Sequence, residues 1–199
     1  TKVGEFNNYL MLLVLSGFLL IGRQFVTLWV GKEYDISYYA TVILMISGYI
    51  PAVQTLGVNI QNAKNMHRIR SVVYFFVACI NVIASVFLIK MYGVIGTCLG
   101  TLLATLFGHG IFMNYYYHCK IGLNISVFWK KMFKWIIPVG VLTVICKLLL
   151  QFVNIDSWFK LISFCCVYGC IYIVMLCVIG LTKEQKVITK QKMKVLLKK

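Results

Sequence analysis

Residues 71–91 read SVVYFFVACINVIASVFLIKM, and in these 21 residues Lys90 is the only charge and Asn81 the only amide. As a helix the stretch is about 31 Å long, enough to cross a hydrocarbon core of about 30 Å. Lipid offers a backbone no hydrogen-bond partner, so a run of this length and polarity has to close its own bonds as a helix. Working outward, five further apolar runs occupy residues 9–30, 38–62, 93–117, 135–153 and 158–181. The expected fold is all-α, a polytopic membrane protein with six spans. Residues 1–181 form one transmembrane lobe, and 182–199 form a lysine-rich tail.

Charge sets the expected orientation. The second connection carries Lys64, Arg68 and Arg70, the fourth Lys120, Lys130, Lys131 and Lys134, and the tail seven lysines against Glu184; together they sum to +13. On the other side Lys32, Glu33, Asp35, Lys90, Asp156 and Lys160 sum to zero. Basic connections stay in the cytoplasm, which puts both termini there. Trp29, Tyr34, Tyr38, Tyr92 and Trp158 fall at one interface and Tyr115, Tyr116, Tyr117, Trp129 and Trp135 at the other, as aromatic belts do.

A net charge of +15 in a soluble chain would point to nucleic acid. Here the charge sits in clusters beside the spans, so it reads as topology and as attraction to anionic membrane lipid, with no nucleic-acid partner. The eight cysteines form no CxxC pair and mostly lie inside spans, where a thiol behaves as a small buried hydrophobe. The chain begins at Thr1 and shows no signal peptide, so a fragment is expected.

Within the spans, Gly96, Gly100, Ala104 and Gly108 recur every four residues, flanked by Thr97, Thr101 and Thr105. Such a smooth stripe lets a neighbouring helix approach closely and reads first as helix packing. The second span is interrupted by Gly48, Pro51 and Gly57 and carries Gln54, Asn59, Gln61 and Asn62. Proline removes a helical hydrogen bond, so this span is a candidate hinge; its amides either bond to neighbouring helices or line a cavity, and Asn81 has the same two readings. Arg23 and Lys147 are cations in the outer halves of their spans, with no acid inside any span to pair with them. An intramembrane charge costs about 2.5–3.5 kcal/mol and faces water, a partner or, by snorkelling, the interface. Ile125, Phe128, Trp129, Met132 and Phe133 form an apolar face opposite Lys130, Lys131 and Lys134, the pattern of an in-plane amphipathic helix over about 124–134.

Catalytic groups do not converge. His67, His109 and His118 have no metal-ligand spacing, no acid stands near them in sequence, and no glycine loop with a lysine cradles phosphate. The chain reads as a non-enzyme without a cofactor.

From Phe25 to Pro138 the chain resembles the second half of bacterial polysaccharide-unit flippases, the O-antigen, capsule and teichoic-acid exporters of the multidrug/oligosaccharidyl-lipid/polysaccharide (MOP) superfamily. The pieces that carry the resemblance are LWVGKEY at 28–34, NAKNMHR at 62–68, NVI at 81–83, YGVIGT at 92–97, LGT at 99–101, MNYYY at 113–117 and IGLNI at 121–125. The resemblance implies two six-helix lobes around a cavity that opens alternately to each side of the bacterial cytoplasmic membrane. It implies an undecaprenyl-pyrophosphate-linked oligosaccharide as cargo, with Arg23, Lys147, Gln54, Asn59 and Asn81 as candidate substrate-binding residues. The N-terminal lobe of the same transporter would be a partner, as would the glycosyltransferases or polymerase that build and use the cargo. The rivals are a multidrug antiporter of the same superfamily, which would need buried carboxylates for its cationic drugs, and a structural membrane fragment that transports nothing.

Overall fold

The computed structural model describes residues 2–64, 66–151 and 157–180, and these are helical almost throughout, with no strand among them. Six of the helical segments are long and apolar enough to cross a membrane: Gly4–Trp29, Lys32–Val53, Arg68–Tyr92, Val94–Ile121, Ile125–Leu150 and Trp158–Val178. The lysine-rich tail and the connection holding Asp156 lie outside the described residues.

Helix α1 (Lys2–Trp29) runs through the middle of the bundle, packed against α2 (Asp35–Val53), α7 (Ile125–Leu150) and α8 (Trp158–Met175). Leu12, Leu20 and Ile21 of α1 meet Trp135, Val139 and Cys146 of α7 and Leu161, Tyr168 and Tyr172 of α8 in the larger core. On its other side α2 packs on α5 (Val94–Thr105), and α5 on α4 (His67–Tyr92). Large apolar side chains such as Phe75, Phe87 and Ile137 point outward, the exposure expected of a surface meant for lipid.

The α4–α5 hairpin shows what the small-residue stripe does. Gly93 alone makes the turn, at φ 57 and ψ −137, a backbone conformation that a side chain would strain. A Cβ at Gly96 would land on the Leu88 carbonyl, one at Gly100 would come 2.8 Å from the Ser85 nitrogen, and one at Gly108 would overlap Val77. Ala104, in the same row, is buried. Asn81 belongs to this seam: its Oδ1 accepts from Ser85 Oγ at 3.1 Å and from Thr101 Oγ1 at 3.2 Å, tying α4 to α5.

Three elements depart from the expectation. The second span begins at Asp35 rather than Tyr38 and is two helices, α2 and α3 (Thr55–Ala63), parted at Gln54. The fourth does not stay α-helical. After α5 it widens into π-type turns at Leu106–Met113, returns briefly to α6 (Asn114–Tyr116) and widens again at Tyr117–Ile121. The stretch expected as an in-plane helix forms the first turns of α7, one helix of 26 residues. Asn124 caps it by accepting from the Val127 N–H, and nothing between Phe133 and Trp135 breaks it. Met132 and Trp135, adjacent to that junction, are both buried, so packing carries the helix through.

Candidate functional site

Pro51 has no N–H to give, and three residues later the backbone of Gln54 leaves the helix at φ −77, ψ 3. Beside this break the Ala52 carbonyl is taken by side chains: Thr55 Oγ1 donates to it at 2.6 Å and Asn7 Nδ2 of α1 at 3.3 Å. A gap in the main-chain ladder is thereby held by two polar residues, as lipid requires.

The Gln54 side chain, 3% exposed, crosses to the fourth span. Its Nε2 donates to the His109 carbonyl at 3.0 Å and to Asn114 Oδ1 at 2.8 Å. The π-type widening places these acceptors, because each wide turn carries an extra residue and leaves carbonyls turned away from the axis. Asn114 Nδ2 donates to the Gly110 carbonyl at 2.6 Å, and Trp129 Nε1 of α7 donates to Asn114 Oδ1 at 3.1 Å. Three sequence-distant segments meet at one amide.

This junction separates two cavities that share Asn114. One of about 300 Å³ lies between Gln54, Gly57, Tyr117 and the start of α7; the other, of about 620 Å³, lies between α1, α2 and α7, beside Leu12, Tyr49 and Trp129. Buried polar groups continue along α1. Tyr49 donates to Asn8 Oδ1, Asn8 Nδ2 reaches the Met132 carbonyl at 3.5 Å, Tyr172 donates to the Tyr9 carbonyl at 2.8 Å and Tyr168 to Ser16 Oγ at 2.6 Å. Not every group is satisfied: Gln54 Oε1 and both polar atoms of the fully buried Gln61 have no partner among the described residues.

The residues singled out from sequence are scattered. Gln54 is at the centre of the junction, whereas Asn59 is exposed on α3 and Asn81 is committed to the α4–α5 seam. Arg23 sits near the opposite end of α1, its side chain 62% exposed and paired with Asp35 through two bonds. The expectation that no acid is available to it fails because α2 starts three residues before the apolar run does, bringing Asp35 to the depth of Arg23. Lys147 is exposed in the last turn of α7, which ends at Leu150, so a lysine chain reaches the interface without crossing lipid. Pro51 lies inside α2, Gly48 faces open space, and Gly57 is a seat for the Tyr117 ring, whose Cζ would be 2.7 Å from a Cβ there.

Sequence reasoning treated Asn114 as part of a resemblance and Trp129 as an interface aromatic, and passed over Asn8 and Tyr49. The available signal for Asn114 was an amide four residues after Gly110 in an apolar run. Compared with models of protein families, with curated proteins and with solved structures, the chain has no match.

Proposed function

We propose that this chain is one lobe of a transporter that passes a lipid-linked oligosaccharide, an undecaprenyl-pyrophosphate-linked repeat unit, across the bacterial cytoplasmic membrane by alternating access. Both termini are cytoplasmic in this reading, and an N-terminal lobe completes the cavity. The resemblance over residues 25–138 and the +13 face support it. The observation that carries it is the break at Gln54, where an amide network lies beside two cavities with an oxygen unpaired. Polar groups buried in lipid without full pairing cost free energy, and a bundle with only a structural task is more stable with apolar residues there. Interrupted helices whose backbone and amides border a cavity are a recurring way to build a substrate site at membrane depth.

The test is in the native host. Deleting the gene is expected to abolish one surface polysaccharide and to accumulate its lipid-linked precursor on the inner side, and Gln54→Ala, at normal protein level, to lower the export rate. Unchanged polysaccharide and no precursor in the deletion strain would overturn the reading.

A further inference from the structure

Arg70 is the last residue before the apolar run 71–91 and stands in the first turn of α4, so its side chain leaves the helix where the hydrocarbon core ends and lipid headgroups begin. The half-buried guanidinium is held in place. Its Nη1 donates to Asn62 Oδ1 of α3 at 3.1 Å, and its Cζ lies 5.7 Å from the centre of the Tyr74 ring, which in turn meets the His109 ring at 5.1 Å. An amide and a ring face steady the cation without neutralising it. Arg23 shows what the other edge of such a fork does with an anion, since its Nε and Nη2 take both oxygens of Asp35. In Arg70 that same edge has no partner among the described residues, and neither atom is buried. The described carboxylates are engaged or remote: Glu5 pairs with Lys131, and Glu33 and Asp35 lie at the opposite end of the bundle.

A fixed arginine fork with a free edge matches a pair of oxygens on one anion. At the edge of the hydrocarbon core that anion is the phosphate of the bilayer lipid itself. The protein also offers a surface for the lipid's tail. Below Arg70 the i+4 row of α4 runs through Tyr74, Ala78, Val82 and Val86, all of them exposed. We propose that Arg70 heads a binding site for an anionic phospholipid, its Nε and Nη2 donating to two phosphate oxygens while an acyl chain lies along Tyr74, Ala78, Val82 and Val86. A zwitterionic lipid fits less well, because its own ammonium competes for the phosphate. The seat differs from the diffuse attraction of the +13 face, since Asn62 and Tyr74 hold one cation in one geometry. It is independent of transport.

A ligand that prefers the folded state raises its thermal midpoint, so binding is read as stabilisation. The full chain, delipidated in a neutral detergent, is titrated separately with phosphatidylglycerol, phosphatidylcholine and inorganic phosphate. A saturable rise is expected with phosphatidylglycerol, half complete at about a fifth of the mole fraction that phosphatidylcholine needs, the size of one interfacial charge. Arg70→Gln should erase that difference. Arg70→Lys should keep part of it, because an ammonium has the charge without the fork. Lys130→Gln removes an equal charge from the same basic side and should leave the preference intact. Should Arg70→Gln fail to fold, Asn62→Leu is the second arm: it keeps the cation, removes its post and should weaken phosphatidylglycerol about twofold. Coincident curves for the two lipids in the wild type would overturn the proposal. Equal losses in Arg70→Gln and Lys130→Gln would also overturn it, leaving only a general surface field, as would a shift reproduced by inorganic phosphate, which would make the ligand a soluble anion.

Discussion

Arg23 of α1 and Asp35, the first residue of α2, meet as a two-point ion pair, with Nε 2.8 Å from Oδ1 and Nη2 2.6 Å from Oδ2. The pair pins the α1–α2 hairpin at the end of the bundle away from the Gln54 junction. A planar fork on a carboxylate is a geometry that lysine cannot reproduce. Breaking the pair from either side leaves one charge at the edge of the lipid, whereas removing both leaves none. Arg23→Gln and Asp35→Asn are therefore expected each to lower the thermal midpoint of the purified chain, and the double variant to lower it by less than their sum. Additive losses would show that the two side chains act separately. On the proposed transport reading, Arg23→Asp with Asp35→Arg should recover part of the export lost by Arg23→Asp alone.

Gly57 and Gly48 were grouped by sequence as hinge residues, and their surroundings now separate them. A methyl at Gly57 meets the Tyr117 ring, a buried group with little room to move, whereas one at Gly48 meets nothing within 4 Å. Gly57→Ala should destabilise by about 1–3 kcal/mol, the usual cost of overpacking. Gly48→Ala should be neutral or stabilising by up to about 1 kcal/mol through helix propensity. In a Tyr117→Ala background, where the ring is absent, Gly57→Ala should cost less than it does in the wild type. Denaturation in mild detergent measures all three, and equal effects at the two glycines would contradict the packing described.

The spans were legible because lipid removes every alternative to a helix, so length and hydropathy alone decide. Even the close α4–α5 approach was readable, since Gly96, Gly100, Ala104 and Gly108 can share a row only if a backbone comes near. Other features were hidden for a common reason. The break after Pro51 falls at Gln54 because Asn7, His109 and Asn114 supply partners there, and the widening at Leu106–Met113 is tied to the same amides. Such partners are set by tertiary packing, and no local pattern announces them. The Arg23–Asp35 pair escaped similarly, because the charge that starts α2 looked like part of a loop.

The charge asymmetry makes a topological prediction that needs no transport assay. With the eight native cysteines replaced, a cysteine at Lys32 should react with an impermeant thiol reagent added to intact cells, and one at Lys130 should react only after the membrane is opened. Lys32 lies in the short turn between α1 and α2 and Lys130 on the exposed side of α7, so both are open to reagent. The reverse pattern would place the Gln54 junction in the outer half and overturn the cytoplasmic placement of both termini in the proposed function.

Pro51 was the obvious hinge from sequence, yet the structure distributes the break over several residues, and this changes the expected result of removing the proline. Restoring an N–H at position 51 offers a donor back toward Ser47, one turn earlier, and does nothing directly for the gap at Gln54. That gap is held by Asn7 and Thr55 on the Ala52 carbonyl and by Gln54 on the fourth span. Side-chain hydrogen bonds within membranes contribute about 0.6–2 kcal/mol each, so together they outweigh the helix bond that Pro51→Ala regains. Spin labels at the exposed positions Leu44 and Asn59 report the outcome, since an unbroken helix would set their backbones about 22 Å apart. Pro51→Ala alone is expected to keep the wild-type distance. Adding Asn7→Leu and Thr55→Val should shift the distribution toward the straight-helix value and slow export, because the cavity wall at Gln54 moves with the helix. A full shift in Pro51→Ala by itself would mean that the proline holds the break and the amides only follow it.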